Sequence, residues 1–232
     1  MDTLRICATG EGSAVENCLA KIRFFCAYDA FPAYDTLGRN HEEASDRFQS
    51  ELLRATNAAM RARSSRKAWE PWLDKTLPVL SAIPTDVDLI ESTDLEYAQA
   101  RNPLADYYRA LTDTPWITDM AASKMLFLKR PRLTAISDSY VREALGIKEP
   151  DTKQHPWKSA FCTERALRVS DAVRNVGLAN IERLEELQQE LEPIVVSKVR
   201  LIDILVWVDM AIRAGHPTWT QAAISHDWYV RS

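Results

Sequence analysis

Glycine and cysteine are scarce in this chain, and both shortages restrict the fold. The 232 residues include six glycines, whereas a β-sandwich needs frequent glycine-containing turns, so an all-α fold is expected. The four cysteines are Cys7, Cys18, Cys26 and Cys162. None of them forms a C-x-x-C pair, which argues against a zinc site and a disulfide framework. We therefore expect a cytoplasmic helical protein with reduced thiols, without metal or cofactor.

The chain also lacks a long apolar run. Its N-terminus leads into the polar stretch TGEGS, which is not typical of a signal peptide. The most apolar segment, residues 199–212, is too short to span a membrane and contains charged residues, so we expect a buried helix and no membrane contact. The sequence contains 46% hydrophobic residues and shows no repeat or linker, which predicts a single compact domain over residues 1–232.

Positive charge is in the minority, but it is concentrated in two places. The formal net charge is −4, which excludes wholesale binding to nucleic acid and still permits a local basic face. The first basic cluster consists of Lys124, Lys129, Arg130 and Arg132. The second basic cluster, residues 61–67, contains Arg61 and Arg63. Either cluster could contact phosphates or form a solvated surface that pairs with acidic helices.

The first basic cluster lies in residues 113–146, where the sequence predicts two helices joined by a turn. Residues 120–128 favour a helix that ends near Lys129, because Pro131 cannot continue it. A short extended connector follows, and a second helix begins after Asp138. Gly146 is suited to the left-handed position beyond the end of this helix. Asp138 therefore lies at a helix N-terminus, where its carboxylate can act as a cap.

Apolar residues at helical spacing predict five further core helices, over residues 14–27, 41–60, 73–83, 164–191 and 198–214. Ser13 and Glu16 resemble a capping box for the first of these helices. Two short helices are expected in residues 86–110, since Pro103 interrupts the second. Residues 148–163 are expected to form a surface loop. Residues 164–191 are expected to form either one long helix or two helices that are joined at Gly177.

The segment ASKMLFLKRPRLTAISDSYVREALG resembles the core motif of the helix-hairpin-helix DNA glycosylases. In that superfamily a helical hairpin is followed by a proline, a hydrophobic residue and a catalytic Asp that opens a helix. The matching positions are Pro131, Ile136, Asp138, Ser139, Val141, Leu145 and Gly146. The stretches KRPRL and RLIDILVW also resemble an uncharacterised bacterial family of helical proteins.

The glycosylase resemblance implies a DNA-repair hydrolase that binds DNA and removes a damaged or modified base. Asp138 would be the catalytic carboxylate, because cleavage of an N-glycosidic bond builds positive charge on the sugar. Trp116 and Tyr140 would stack on the extruded base. The phosphate contacts would come from Lys124, Lys129, Arg130, Arg132, Arg61 and Arg63. No lysine occupies the position of the hairpin nucleophile, so a lyase step is not expected.

The residues alone leave alternatives open. Asp138 can be only a helix cap, and the basic residues can serve solubility. The chain would then be a non-catalytic helical module that binds nucleic acid or a partner protein. An enzyme that acts on another small ligand is a third possibility. The lesion, the strandedness of the DNA and the oligomeric state are not specified by any of these residues.

Overall fold

The computed structural model describes residues 2–6, 14–27, 76–113, 117–147, 159–226 and 228. Within these ranges the chain is all-α apart from one small hairpin, so the predicted fold class is confirmed. The helices with defined bounds are α1 (Cys18–Ala27), α2 (Asp94–Thr112), α3 (Asp119–Phe127), α4 (Ser139–Ala144), α5 (Ser159–Ala179), α6 (Ile181–Glu190), α7 (Lys198–Arg213) and α8 (Pro217–Ser225). Residues 76–81 are helical as well.

The hairpin corrects the prediction of a helix over residues 14–27. Its strands are β1 (Thr3–Arg5) and β2 (Ala14–Glu16), which pair antiparallel. Leu4 and Val15 lie opposite each other and are fully buried, and their neighbours are more exposed. This alternation is the period of a strand, and α1 begins only after Asn17 turns the chain at a φ of 56°. The capping box predicted for this helix is therefore wrong, since Glu16 is in a strand.

Helix α7 lies at the centre of the fold and packs against α1, α4, α5, α6 and α8. It confirms the buried helix predicted over residues 198–214. Its charges are paired, as buried charges must be. Arg200 pairs with Asp203, and Asp209 accepts from Lys21 at 2.7 Å. None of the helices described is long and apolar enough to cross a membrane.

Helix α2 is a single helix, so the prediction of two short helices in residues 86–110 is wrong. Pro103 lies inside it. A proline removes one hydrogen bond, to the carbonyl four residues earlier, and that residue is the exposed Gln99. Water can therefore satisfy the carbonyl, while α2 packs along α5 on its other side. Thr93 and Glu96 form a capping box that fixes the start of α2.

Two further boundaries differ from the sequence prediction. Helix α5 begins at Ser159, so residues 159–163 are not part of a surface loop, and both Cys162 and Thr163 are buried. The break between α5 and α6 falls at Asn180 and not at Gly177. The Asn180 side chain bonds both the N–H and the C=O of Arg5, at 3.0 and 2.9 Å, which ties the helix break to the hairpin. The predicted helix over 41–60 lies outside the described residues.

Candidate functional site

The two helices expected in residues 113–146 are present as α3 and α4. Helix α3 packs against the preceding helix α2, and both α2 and α3 pack against α5. Thr118 caps α3, which ends at Phe127, just before the turn that contains Pro131. Helix α4 begins after Asp138, and Gly146 follows its end at a φ of +65°. These bounds confirm the predicted order of helix, turn, connector and Asp-initiated helix.

Asp138 is the N-cap of α4 and is half-buried. Its Oδ1 accepts a hydrogen bond from the N–H of Tyr140 at 3.0 Å, and its carbonyl accepts from the N–H of Arg142 at 2.9 Å. A cap of this kind stabilises a helix by about 1 kcal/mol. Within the described part of the chain, Oδ2 accepts no hydrogen bond. Capping therefore uses only one of the two carboxylate oxygens.

A second carboxylate, Asp119, contacts Ser137, the residue before Asp138, and was not identified from the sequence. It is fully buried, and Arg165 donates to both of its oxygens, from Nε at 2.8 Å and from Nη2. Ser137 donates its hydroxyl to Asp119 Oδ2 at 2.5 Å, and Arg142 Nη1 lies 3.5 Å from the same oxygen. We call Asp119, Ser137, Arg142 and Arg165 the Asp119 cluster. Two guanidinium groups thus surround one buried carboxylate.

The Asp119 cluster borders a thiol that could be mistaken for a nucleophile. Burial, and then the negative charge of Asp119, raise the pKa of Cys162 above its ordinary value. A raised pKa keeps the group as a neutral thiol, which is a poor nucleophile. Arg165 Nη2 lies 3.9 Å from the Cys162 sulfur, but burial outweighs this charge, and Cys162 is a buried neutral thiol of α5.

Arg130, in the first basic cluster, is buried. Its guanidinium donates to three backbone carbonyls, those of Ile83 at 3.0 Å, Leu80 at 3.2 Å and Lys129 at 2.9 Å. The first two acceptors lie at the end of the helical segment 76–81, whose last carbonyls lack partners within the helix. Lys129 is buried as well. A DNA contact by Lys129 or Arg130 stays a prediction, while in this structure both side chains are directed into the fold.

Arg132 and Lys124 are the more accessible members of the first basic cluster. The Arg132 side chain is 52% exposed, and its Nε lies 3.4 Å from a carboxylate oxygen of Asp88. The Arg132 carbonyl accepts from the N–H of Leu89 at 3.0 Å, so the backbone is fixed while the side chain projects outward. Lys124 is half-buried on α3. A phosphate could reach Arg132 without rearrangement of the core.

Tyr140 is half-buried and packs on α7. Its ring meets that of Trp207 edge to face, with 5.9 Å between centroids. Trp207 in turn contacts His216 at 6.3 Å and Trp219 at 5.5 Å. Tyr140 therefore lies at the edge of an aromatic group beside Asp138. The other stacking candidate, Trp116, and the second basic cluster with Arg61 and Arg63 lie outside the described residues.

Other features of the described residues do not adjoin Asp138. An open groove of about 740 Å³ lies between the hairpin and the junction of α5 and α6, and its lining includes Arg5, Leu178 and Arg183. No group of three or more His, Cys, Asp or Glu side chains in the described ranges could hold a metal ion. The candidate site therefore consists of Asp138, its neighbours on α4 and the Asp119 cluster.

The fold and the site define an all-α protein with a carboxylate at the start of a short helix that follows a helix pair. A family model matches residues 25–210, and the chain belongs to that family, DUF6308, a family of unknown function. The matched residues include Asp138 and the whole Asp119 cluster. No curated protein and no solved structure matches the chain.

Proposed function

We propose that this protein is a cytoplasmic DNA-binding N-glycosylase that removes a damaged or modified base, with Asp138 as its carboxylate. One observation carries the proposal: after the α2–α3 helix pair, a turn and a short connector lead to Asp138, which opens α4 and uses only Oδ1 for capping. This is the order of elements in the glycosylase superfamily that the sequence resembles. Asp138 is half-buried, so part of the residue remains accessible to solvent.

Simple base excision requires little from the protein besides such a carboxylate. Breaking the N-glycosidic bond develops positive charge on the sugar, and a fixed negative charge beside it lowers the barrier. The same carboxylate can orient the attacking water. Because the base must leave the helical stack before it reacts, the half-buried Tyr140 is a candidate to contact the extruded nucleotide. No lysine of α3 occupies the nucleophile position, so the product would be an intact abasic strand.

The DNA contacts of this proposal are limited to the accessible cations. Arg132 is the principal candidate, with Lys124 as the second, since Lys129 and Arg130 are buried. Few phosphate contacts on a chain of net charge −4 imply weak binding, and the affinity should fall as salt rises with the shallow slope that a small number of contacts gives. We expect this dependence in a gel-shift titration across ionic strength.

A second candidate function is a non-catalytic helical binding module. The burial of Lys129 and Arg130 favours this non-catalytic candidate, because these two residues, which the sequence suggested as phosphate contacts of a glycosylase, then stabilise the turn. In this alternative Asp138 is only the cap of α4. The module would bind nucleic acid or a partner protein, and where it binds DNA the two candidates differ only in chemistry, so a test of base excision separates them.

The decisive change is Asp138→Asn, which keeps the size and most of the capping ability of the side chain and removes its charge. We expect the variant to fold normally and to lose excision by at least about 10²-fold, as for the loss of a single transition-state contact. DNA carrying deaminated, alkylated and oxidised bases is incubated with each protein, and abasic sites are then cleaved with alkali. Strand breaks that require the alkali indicate a monofunctional enzyme.

The matched control is Asp106→Asn, the same chemical change on the exposed surface of α2, where Asp106 forms an exposed ion pair with Arg109. It should excise as fast as the wild type. If Asp138→Asn also removes a base as fast as the wild type does, Asp138 is only a cap. If the wild type removes no base from the panel but binds the DNA, the binding module is the function.

A further inference from the structure

Ser137, the residue directly before Asp138, has every polar group bonded to another part of the fold. It is fully buried. Its N–H donates to Ser123 Oγ at 2.9 Å, its hydroxyl donates to Asp119 at 2.5 Å, and its carbonyl accepts from Arg142 Nη1 at 2.6 Å. Three bonds on one residue fix the position and the orientation of the peptide that leads into Asp138.

These bonds come from different helices. Asp119 and Ser123 belong to α3, Arg142 belongs to α4, and the partner of Asp119, Arg165, belongs to α5. The peptide before Asp138 is therefore held by α3 directly and by α5 through Asp119, and not by α4 alone. Helix α4 has six residues, and a helix of this length is not stable without external contacts.

Capping alone does not require this arrangement. An N-cap needs one side-chain oxygen near the first turn, which Asp138 supplies itself. Burying the charges of Asp119 and Arg165 carries a desolvation cost that an apolar pair would avoid. One use of a buried ion pair is to specify local geometry, and the geometry that this pair contacts is the start of α4.

We infer that the Asp119 cluster positions the Asp138 carboxylate, with Asp119, Arg165 and Ser137 as positioning residues. Asp119 orients the Ser137 hydroxyl, Arg165 orients Asp119, and Ser137 fixes the backbone from which Asp138 projects. The catalytic importance of the Asp119 cluster rests on the proposed function, whereas the positioning of Asp138 is a property of the free protein. The two can therefore be tested separately.

The test of positioning uses hydrogen exchange on the full chain without DNA. The Tyr140 amide donates to Asp138 Oδ1, so its exchange rate reports on the geometry at the site. Ser137→Ala removes the bond to Asp119, and we expect it to raise exchange of the Tyr140 amide by about tenfold. Exchange of the Leu205 amide, in the middle of α7, should not change. A general loss of stability would instead accelerate both amides.

The matched control is Ser139→Ala, the same substitution on the other side of Asp138. Ser139 is exposed and is not part of the Asp119 cluster. It should leave Tyr140 exchange unchanged. Asp119→Asn, which keeps the size of the side chain, is a second variant expected to act as Ser137→Ala does. Equal effects of Ser137→Ala and Ser139→Ala, or no effect of Ser137→Ala, would overturn the inference.

Kinetics then test the link to chemistry. If the wild type excises a base, Ser137→Ala should lower the single-turnover rate by about tenfold and leave the dissociation constant for DNA unchanged. If Ser137→Ala accelerates exchange of the Tyr140 amide but leaves the excision rate unchanged, the catalytic part of the inference is overturned. If the wild type excises nothing, the proposed function fails, and the exchange result still decides whether the Asp119 cluster positions Asp138.

Discussion

At the scale of single residues, Arg130 could stabilise the fold or bind DNA, and these two roles predict different effects of its substitution on stability and on DNA affinity. We expect Arg130→Ala to lower the free energy of unfolding by about 2–3 kcal/mol, because it removes the Arg130 donor from the Ile83 carbonyl and leaves the Leu80 carbonyl with only the N–H of Ile83. Urea denaturation followed by circular dichroism measures the change. A DNA affinity that stays constant at low salt would support the structural role.

Arg132→Ala is the matched control for this prediction. The Arg132 side chain is 52% exposed, so solvent screens its ion pair with Asp88 and the pair contributes at most about 1 kcal/mol. The buried Asp88 carboxylate keeps its bonds from the N–H groups of Ile90 and Glu91. Arg132→Ala should therefore leave stability nearly unchanged and weaken DNA binding. Equal losses of stability in the two variants would show that Arg130 is not the donor on which the turn depends.

The same residues explain which parts of the site a sequence can reveal. Asp138 was predicted as a cap because its signal is local: an Asp, a helical run and a terminating Gly146 lie within nine residues. The partners of Arg130 lie up to 50 residues earlier, and Asp119 and Arg165 are 46 residues apart. Neither pairing leaves a pattern along the chain, so the burial of Arg130 and the Asp119 cluster required the structure.

At the scale of elements, the contact between Gly177 and Ile90 joins α5 to the segment before α2. A Cβ added to Gly177 would lie 2.5 Å from Cγ1 of Ile90. Alanine favours a helix over glycine by about 1 kcal/mol, but overpacking a filled contact costs about 1–3 kcal/mol. We expect Gly177→Ala to be destabilising on balance, as measured by urea denaturation.

A double-mutant cycle supplies the control for Gly177→Ala. In an Ile90→Ala background the space is open, so adding the methyl group of Gly177→Ala should be neutral or stabilising. An identical cost of Gly177→Ala in both backgrounds would mean that the backbone of α5, and not the contact with Ile90, requires glycine at this position.

Gly177 and Pro103 show why element boundaries were predicted less well than element types. Both residues are breakers by local propensity, and both lie inside helices because α2 and α5 pack along each other. The actual break, at Asn180, coincides with the bonds of its side chain to Arg5, 175 residues earlier in the chain. Composition and periodicity still predicted the all-α class, since they sum over whole segments.

At the scale of the whole molecule, the core holds several acidic groups that stay neutral in the folded state. Tyr107 and Tyr108 are buried in the cluster formed by α2, α3 and α5, and burial raises the pKa of both. Cys18 lies in the cluster around α7, where burial raises its pKa to about 12. Each of these groups can ionise at its ordinary pKa only after the protein unfolds.

This difference predicts that stability falls at alkaline pH. In the unfolded chain the thiol ionises near about pH 8.5 and the phenols near about pH 10. Above these values the unfolded state binds fewer protons than the folded state, so the free energy of unfolding decreases as pH rises. We expect stability to be steady near neutrality and to decline from about pH 9 upward, in urea titrations at a series of pH values.

Two substitutions assign this decline to particular groups. Cys18→Ala should reduce the slope of the first part of the decline, to which the buried Cys162 thiol also contributes. Tyr108→Phe, which keeps the ring and removes the ionisable hydroxyl, should reduce the slope above about pH 10. Phenolate absorbance at long ultraviolet wavelength provides a second measurement, because the buried tyrosines should ionise only together with the loss of helical circular dichroism. If all the tyrosine signal instead developed while the helical signal was intact, Tyr107 and Tyr108 would have to be accessible in the folded protein, and the packing of α2 against α3 would be wrong.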